Sequence, residues 1–390
     1  MDSVVYRKVM KVAPRLLYRL VTTYILKLST RTELRCVGTL GGSLGSWSQL
    51  ISAAVNSPKF TKLISGCEVN LKGIGPIHMK VLNVEPVVLA SEVKPLAPFV
   101  FRTEIIGTAT EYGYGEGPSK LVAIQKSIAE AFERLTFRLL KNNSLGTSTT
   151  NGWACHVNTD SAAQNSLFEL CERDAVLTHW LKKVPFVEIE SGTFPAEIKK
   201  WKIANLNQSH LFKRLRIFVT IEGHVPVVLT MIEGFNGETM ISHSSGNNLS
   251  AATIQAIGET CRFASNFSNR FFETGSRALF EESSSENVLP MDHGLLYAYH
   301  LDLPEWFFGR SIPWAEAKKN WTTSPKLKSI DFNFHQIVGD PLVVGYGTSR
   351  DLQGLYFGQT TDALKNGEIN FLRLNKSGSS ELNLMPHFIG

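Results

Sequence analysis

The chain has 390 residues, 43% of them hydrophobic, enough to bury a sizeable core and to build two or three lobes rather than one small module. The 40 basic and 35 acidic residues leave a formal charge of +5, too mild to argue for nucleic acid without a concentrated patch. Cys36, Cys67, Cys155, Cys171 and Cys261 contain no CxxC pair, so neither a disulfide framework nor a cysteine zinc site is indicated and a reducing cytoplasm fits best.

One basic concentration opens the chain. Residues 1–35 carry Arg7, Lys8, Lys11, Arg15, Arg19, Lys27, Arg31 and Arg35 against Asp2 and Glu33, and an amphipathic helix is expected after Pro14. Arg19 and Lys27 interrupt its apolar run, which is too short for a membrane span, and no secretory cleavage site follows. Gly-rich turns and apolar stretches fill 36–85, and Pro86, Pro95 and Pro98 break an extended region over 84–101. A boundary is expected near residue 85, separating a basic arm and accessory region (1–85) from a catalytic unit (86–390). After a glycine-rich turn at 113–118, helices are predicted over about 119–140 and, following a capping turn at Asn158-Thr159-Asp160, over about 161–183. Strands are expected at 215–221 and 225–232, then a loop at 244–248, a helix over about 250–265, and strands at 341–346 and 369–374. Interspersed helices and strands define a mixed α/β (α+β) class, with several lobes around a shared site.

The chemistry lies in a repeat. Ser127-Ile128-Ala129-Glu130-Ala131-Phe132-Glu133-Arg134 and Ser166-Leu167-Phe168-Glu169-Leu170-Cys171-Glu172-Arg173 both read S-[IL]-x-E-x-x-E-R. A reduced copy, Ala256-Ile257-Gly258-Glu259-Thr260-Cys261-Arg262, keeps the first acid and has Arg262 in place of the second. Residues three apart share a helix face, so each pair presents two carboxylates to one neighbourhood. One such helix is an ordinary solvated face. Three, set among apolar residues, demand cations to offset desolvation. Hard oxygen ligands without His or Cys suit magnesium bridged to substrate phosphates, so Glu130, Glu133, Glu169, Glu172 and Glu259 are the candidate metal ligands. No HExxH, GxSxG, Walker A or dinucleotide fingerprint is present.

Residues 115–117 leading to 129–134, 151–154 leading to 167–174, and 256–259 together resemble the YcaO family, ATP-dependent enzymes that activate peptide backbone amides. Asp292-His293 with Tyr297-Ala298, the segment 351–358 and the terminal 383–388 resemble its azoline-forming cyclodehydratase subgroup, the D-protein-like subunit of thiazole/oxazole-modified peptide synthetases. The resemblance implies a multi-lobed fold whose glutamate helices pack around mixed sheets. It also implies ATP and Mg2+ as cofactors, with the five glutamates on metal-binding positions and Lys126, Ser127, Arg134, Arg173 and Gln255 at the nucleotide. No protein nucleophile is required.

In the implied reaction a Cys, Ser or Thr side chain of a ribosomal precursor peptide attacks the preceding carbonyl. ATP phosphorylates the resulting oxygen, and loss of phosphate leaves a thiazoline or oxazoline. Implied partners are the precursor peptide, a leader-recognising protein resembling ubiquitin-activating enzymes and a flavin-dependent azoline dehydrogenase, in a homodimer or larger hetero-oligomer, with no nucleic acid and no membrane span. Several positions depart from the family pattern: Glu116 replaces a usual Lys, Lys126 a usual Ser, Val157 and Ser161 an Asn and a Glu, and Gln255 an Arg. The chain also ends Pro386-His387-Phe388-Ile389-Gly390 rather than PxPxP, with a frayed tail and ordered docking equally expected. Two alternatives stay open from sequence: a thioamide- or amidine-forming YcaO enzyme, and a catalytically inactive YcaO-like scaffold.

Overall fold

The computed structural model describes residues 51–57, 60–71, 75–87, 99–142, 149–199, 212–220, 225–234, 239–274, 302–320, 330–336, 342–370 and 382–389, apart from single positions at 53, 118, 358 and 386. The basic arm, positions 371–374 of the strand expected at 369–374 and the segment 292–298 lie outside the described residues, and Ile369 and Asn370 are not in a strand. Three antiparallel or mixed sheets organise the rest, as a mixed α/β fold.

The first sheet is an antiparallel meander of β1 (Phe60–Leu71), β2 (Gly75–Pro86), β3 (Phe99–Gly107) and β4 (Thr110–Gly117). The boundary expected near residue 85 therefore falls inside a sheet in which β2 and β3 pair, with Glu85 opposite Arg102. Helix α1 (Lys120–Asn142) follows directly and lies on β3 and β4. Its apolar residues recur every three or four positions, and Ala123, Ile124, Ile128, Ala131, Phe132 and Leu135 fill a core with Met79, Leu82, Phe101 and Ile105.

The segment read as a glycine-rich turn is in fact strand β4. Its glycines serve close approach rather than turning: a Cβ on Gly115 would lie 2.0 Å from the Ala123 carbonyl oxygen and 2.4 Å from the Ser127 nitrogen, and one on Gly113 2.1 Å from the Ser127 carbonyl oxygen. Since backbone atoms cannot yield, Gly115→Ala is expected to destabilise the protein by about 2 kcal/mol, read from the denaturation midpoint at unchanged slope.

Strand β5 (Trp153–His156) leads into α2 (Thr159–Leu181), whose N-cap Asn158 accepts a hydrogen bond from the Ser161 N–H at 2.7 Å, as the predicted capping turn requires. Next come β6 (Phe186–Ile189), β7 (Phe212–Val219), β8 (Val227–Gly234) and β9 (Thr239–Ser245). Together with β10 (Phe308–Ile312) they form a five-stranded sheet in the order β10-β6-β7-β8-β9. Helix α3 (Leu249–Thr274) packs on β8 and β9, burying Leu249, Ala252, Ala256 and Ile257. After the short α4 (Trp314–Asn320), β11 (Asp331–Gln336) and β12 (Val343–Thr348) join β5 in a small sheet, and α5 (Thr360–Lys365) closes the described helices.

The C-terminal half of α2 enters an aromatic core with Phe186, Phe218, Phe307, Tyr356 and Phe388. Phe388 and Ile389 are each 2% exposed, Trp180 donates its indole N–H to the Met385 carbonyl at 3.1 Å, and the Asn383 N–H donates to the Leu181 carbonyl at 2.8 Å. The terminal residues are therefore docked on α2, the ordered outcome of the two expected for the tail.

Candidate functional site

The three repeat helices bring their acids to one place. Glu130 and Glu133 come from α1, Glu169 and Glu172 from α2 and Glu259 from α3, and each feels the charge of another: Glu133 that of Glu169 and Glu130, Glu169 that of Glu172, and Glu259 that of Glu172. Burial, together with the charges of Glu169 and Glu130, drives the Glu133 carboxyl well above the ordinary carboxylate range. Burial pushes Glu169 up to about 7, with Arg173 opposing and Glu172 adding to the rise. Glu259 is pushed up to about 8, again chiefly by burial, with Arg262 opposing and Glu172 and Glu116 reinforcing. A carboxylate group this crowded is short of positive charge.

Hydrogen bonds pin Glu130 and Glu172, and the Gly152 and Trp153 N–H groups donate to Glu169. Glu130 accepts from the Tyr114 N–H of β4 at 2.6 Å and from Arg134 at 2.6 Å. Both oxygens of Glu172 are held from β9: Oε2 accepts from the Ser245 N–H at 2.8 Å and Oε1 lies 2.7 Å from His243 Nδ1. Arginine can only donate, so Arg173 Nη1, 3.0 Å from His243 Nε2, donates to that nitrogen and leaves Nδ1–H to donate to Glu172. Burial, seconded by Arg173, accordingly lowers the imidazole pKa and keeps His243 neutral. Burial works against a charged Glu172, but His243, Arg173 and the Ser245 N–H outweigh it and hold that carboxyl below the ordinary range.

The predicted nucleotide residues divide. Lys126 reaches Glu116 Oε1 at 3.0 Å beside the cluster. Arg134 and Arg173 are tied to their own helices' acids, at 2.6 Å from Glu130 and 3.7 Å from Glu169. Ser127 is fully buried, its hydroxyl 2.7 Å from that of Thr103 and donating to the Ile124 carbonyl at 2.9 Å, so it packs rather than presenting its oxygen to the cluster. Gln255 sits exposed on α3, one turn before Glu259.

Three neighbours escaped the sequence reading. Glu116, noted there only as a replaced lysine, is 5% exposed and belongs to the cluster. His243 was passed over because the histidines were judged by helical ligand spacing, and Ser245, expected in the loop 244–248, ends strand β9 instead. The signal available was their place beside the Ser244-Ser245-Gly246 run that leads into α3. Among the azoline-like segments, Gln353 is 1% exposed and works as a pin. Its N–H donates to Asp174 Oδ1 at 2.8 Å, its amide donates to the Gly354 and Glu368 carbonyls, and its Oε1 accepts from the Asn370 N–H at 2.8 Å. The segment thus hangs on α2 one residue beyond Arg173.

Among the described residues, no three His, Cys, Asp or Glu side chains are arranged to hold a metal ion by themselves. The donors on offer are carboxylate oxygens, which suit magnesium, an ion that takes one or two carboxylates and completes its octahedron with water and substrate phosphate. No described helix is long and apolar enough to cross a membrane.

Acid pairs on helix faces around mixed sheets, with interleaved arginines, supply the donor chemistry that a divalent cation and phosphate together call for. The YcaO family, described as YcaO cyclodehydratase, ATP- and Mg2+-binding, matches residues 136–333, about half the chain, including Glu169, Glu172 and Glu259 and beginning just past Glu133. The chain belongs to this family of ATP- and Mg2+-binding cyclodehydratases.

No curated protein matches the chain. Among solved structures it is similar to a heterocyclase in complex with substrate and cofactor (12% identity, TM-score 0.50), over 78% of this chain and 54% of that one. It is also similar to YcaO from Methanopyrus kandleri bound with AMPPCP and Mg2+ (12% identity, 73% and 88% covered, TM-score 0.47) and to the E. coli microcin synthetase McbBCD complex (14% identity, 71% and 88% covered, TM-score 0.44). At these identities the heterocyclase likeness speaks for the fold alone, and the chain spans about half of that protein's length.

Proposed function

We propose that the chain phosphorylates backbone amide oxygens of a ribosomal precursor peptide to form thiazoline or oxazoline rings, as one subunit of a multi-subunit synthetase with a leader-recognising partner. The observation that carries this reading is the gathering of Glu130, Glu133, Glu169, Glu172 and Glu259 from three helices, in which burial and neighbouring acids raise the carboxyls of Glu133, Glu169 and Glu259 and mark an unmet need for positive charge. Bound Mg·ATP supplies the phosphoryl group and neutralises the charge that develops in its transfer.

The chain's own residues hold and orient. Glu172, fixed by His243 and Ser245, and Glu130, fixed by Tyr114 and Arg134, offer preset oxygens to a cation. Glu133, Glu169 and Glu259 complete the acid wall, and Lys126 stands at its edge. Phosphoryl transfer rests on such positioning and electrostatics, so no protein nucleophile is required. Docking of Gln353 on Asp174 supports the azoline-forming assignment of segment 351–358, because it ties that segment to the helix carrying Glu169 and Glu172.

The test combines the chain with its cognate precursor peptide, partner proteins, ATP and Mg2+, following phosphate release and peptide mass. One water lost per ring, with Mg-dependent ATP turnover, is the expected result. An unchanged peptide mass in the complete mixture contradicts ring formation.

A further inference from the structure

In the repeat, α3 carries Arg262 where α1 and α2 carry Glu133 and Glu172. That substitution places a guanidinium inside the acid cluster. Arg262 Nη1 lies 3.6 Å from Glu130 Oε2 and 3.7 Å from Glu116 Oε2, beyond hydrogen-bond length in both cases, and its charge also offsets that of Glu259. Glu116 is bonded on one side only: Oε1 takes Lys126, while Oε2 is buried with no hydrogen-bond partner. Gly258, four residues before Arg262 on α3, makes room for it, since a Cβ there would sit 3.0 Å from Glu116 Cγ.

A buried carboxylate oxygen without a donor and a five-donor fork held near two acids but hydrogen-bonded to neither form an incomplete arrangement. Glu116 Oε2 lacks a donor and Arg262 has donors unspent, so the fork can turn one edge to Glu116 and offer the other to a ligand with negatively charged oxygens that accept bidentate donation. Phosphoryl oxygens carry both properties, and planar fork geometry favours Arg over Lys for that task.

We propose that Arg262 grips the terminal phosphate of the nucleotide and that Glu116 positions it. This rests on the cluster being the ATP site. In this chain the cation lost at Gln255 and the one lost at Glu116 are replaced from a third position, one turn C-terminal of Glu259.

The test titrates the full chain, with Mg2+, with a non-hydrolysable ATP analogue, ADP and adenosine, for wild type, Arg262→Gln, Arg262→Lys, Glu116→Gln and the Glu116→Gln/Arg262→Gln double variant. Arg262→Gln should weaken the ATP analogue by about tenfold or more while leaving adenosine within about twofold, and Arg262→Lys should recover part of the loss. Glu116→Gln should weaken the analogue on its own and add nothing in the Arg262→Gln background. Equal losses for analogue and adenosine, or no loss, overturn the phosphate grip, and additive losses overturn the positioning role of Glu116. If wild type binds none of the three, the ATP reading of the cluster falls and takes this proposal with it. If wild type binds the analogue and Arg262→Gln binds it equally, this proposal alone falls.

Discussion

Glu169→Gln should cost at least about 100-fold in Mg-dependent affinity for a non-hydrolysable ATP analogue, roughly 2.7 kcal/mol, while making the ligand-free protein more stable at pH 8. The two effects share one cause. Burial lifts the Glu169 carboxyl to about 7, Arg173 opposes, and Glu172 adds repulsion, so at pH 8 this side chain is charged in surroundings that resist the charge. Glutamine keeps its size and its acceptor for the Gly152 and Trp153 N–H groups but removes the charge that a cation needs. Calorimetric titration and chemical denaturation at pH 8 read the two effects. Unchanged analogue affinity would remove Glu169 from the metal site.

The second large effect is on stability against pH. Glu169 at about 7 and Glu259 at about 8 have folded pKa values above those of ordinary carboxyls, so their contribution is fully present below the ordinary range and is lost as pH rises through 7 and 8. Glu172 and Glu116 behave oppositely. Although burial opposes their charge, His243 and Arg173 for the first, and Arg262 and Lys126 for the second, hold them below the ordinary range. Their contribution is present above the ordinary carboxylate pKa and lost as pH falls through their lowered values. The ligand-free protein should therefore be most stable near about pH 5 to 6 and lose on the order of 2 kcal/mol by about pH 8.5, a few degrees in Tm. Mg2+ with the ATP analogue should reverse the alkaline loss, with a Tm increase that grows with pH because the acids must be deprotonated to bind metal. A ligand-induced increase that is constant from pH 5.5 to 8.5 contradicts this linkage.

The acid cluster was legible in the sequence because its signal is local and repeated: an E-x-x-E spacing fixes a helix face whatever the rest of the chain does. The three helices carrying it were placed to within a few residues at their starts, with Asn158 capping as expected, and α3 runs beyond its predicted end to Thr274. Strand β4 was misread because glycine, which usually marks turns, here permits backbone contact with α1, and that contact is tertiary. Glu116 looked like a loss of charge at one position. The compensating Lys126 and Arg262 are ten residues away on α1 and far along the chain on α3, so their convergence appears only once α1 and α3 flank β4. His243 is held by contacts to residues about 70 positions earlier, which no spacing rule reaches. The docked tail depends likewise on a partner, Trp180, 205 residues before Met385.

The proposed site has Glu130, Glu133, Glu169, Glu172 and Glu259 hold a divalent cation together with nucleotide. Its most direct test is a crystal structure of the protein with Mn2+ and a non-hydrolysable ATP analogue, with manganese located by anomalous scattering. The expected result is manganese bound by phosphate oxygens together with carboxylates drawn from Glu130, Glu133, Glu169, Glu172 and Glu259, and no occupancy there without nucleotide. Nucleotide bound elsewhere, or manganese absent from the cluster with nucleotide present, would contradict it.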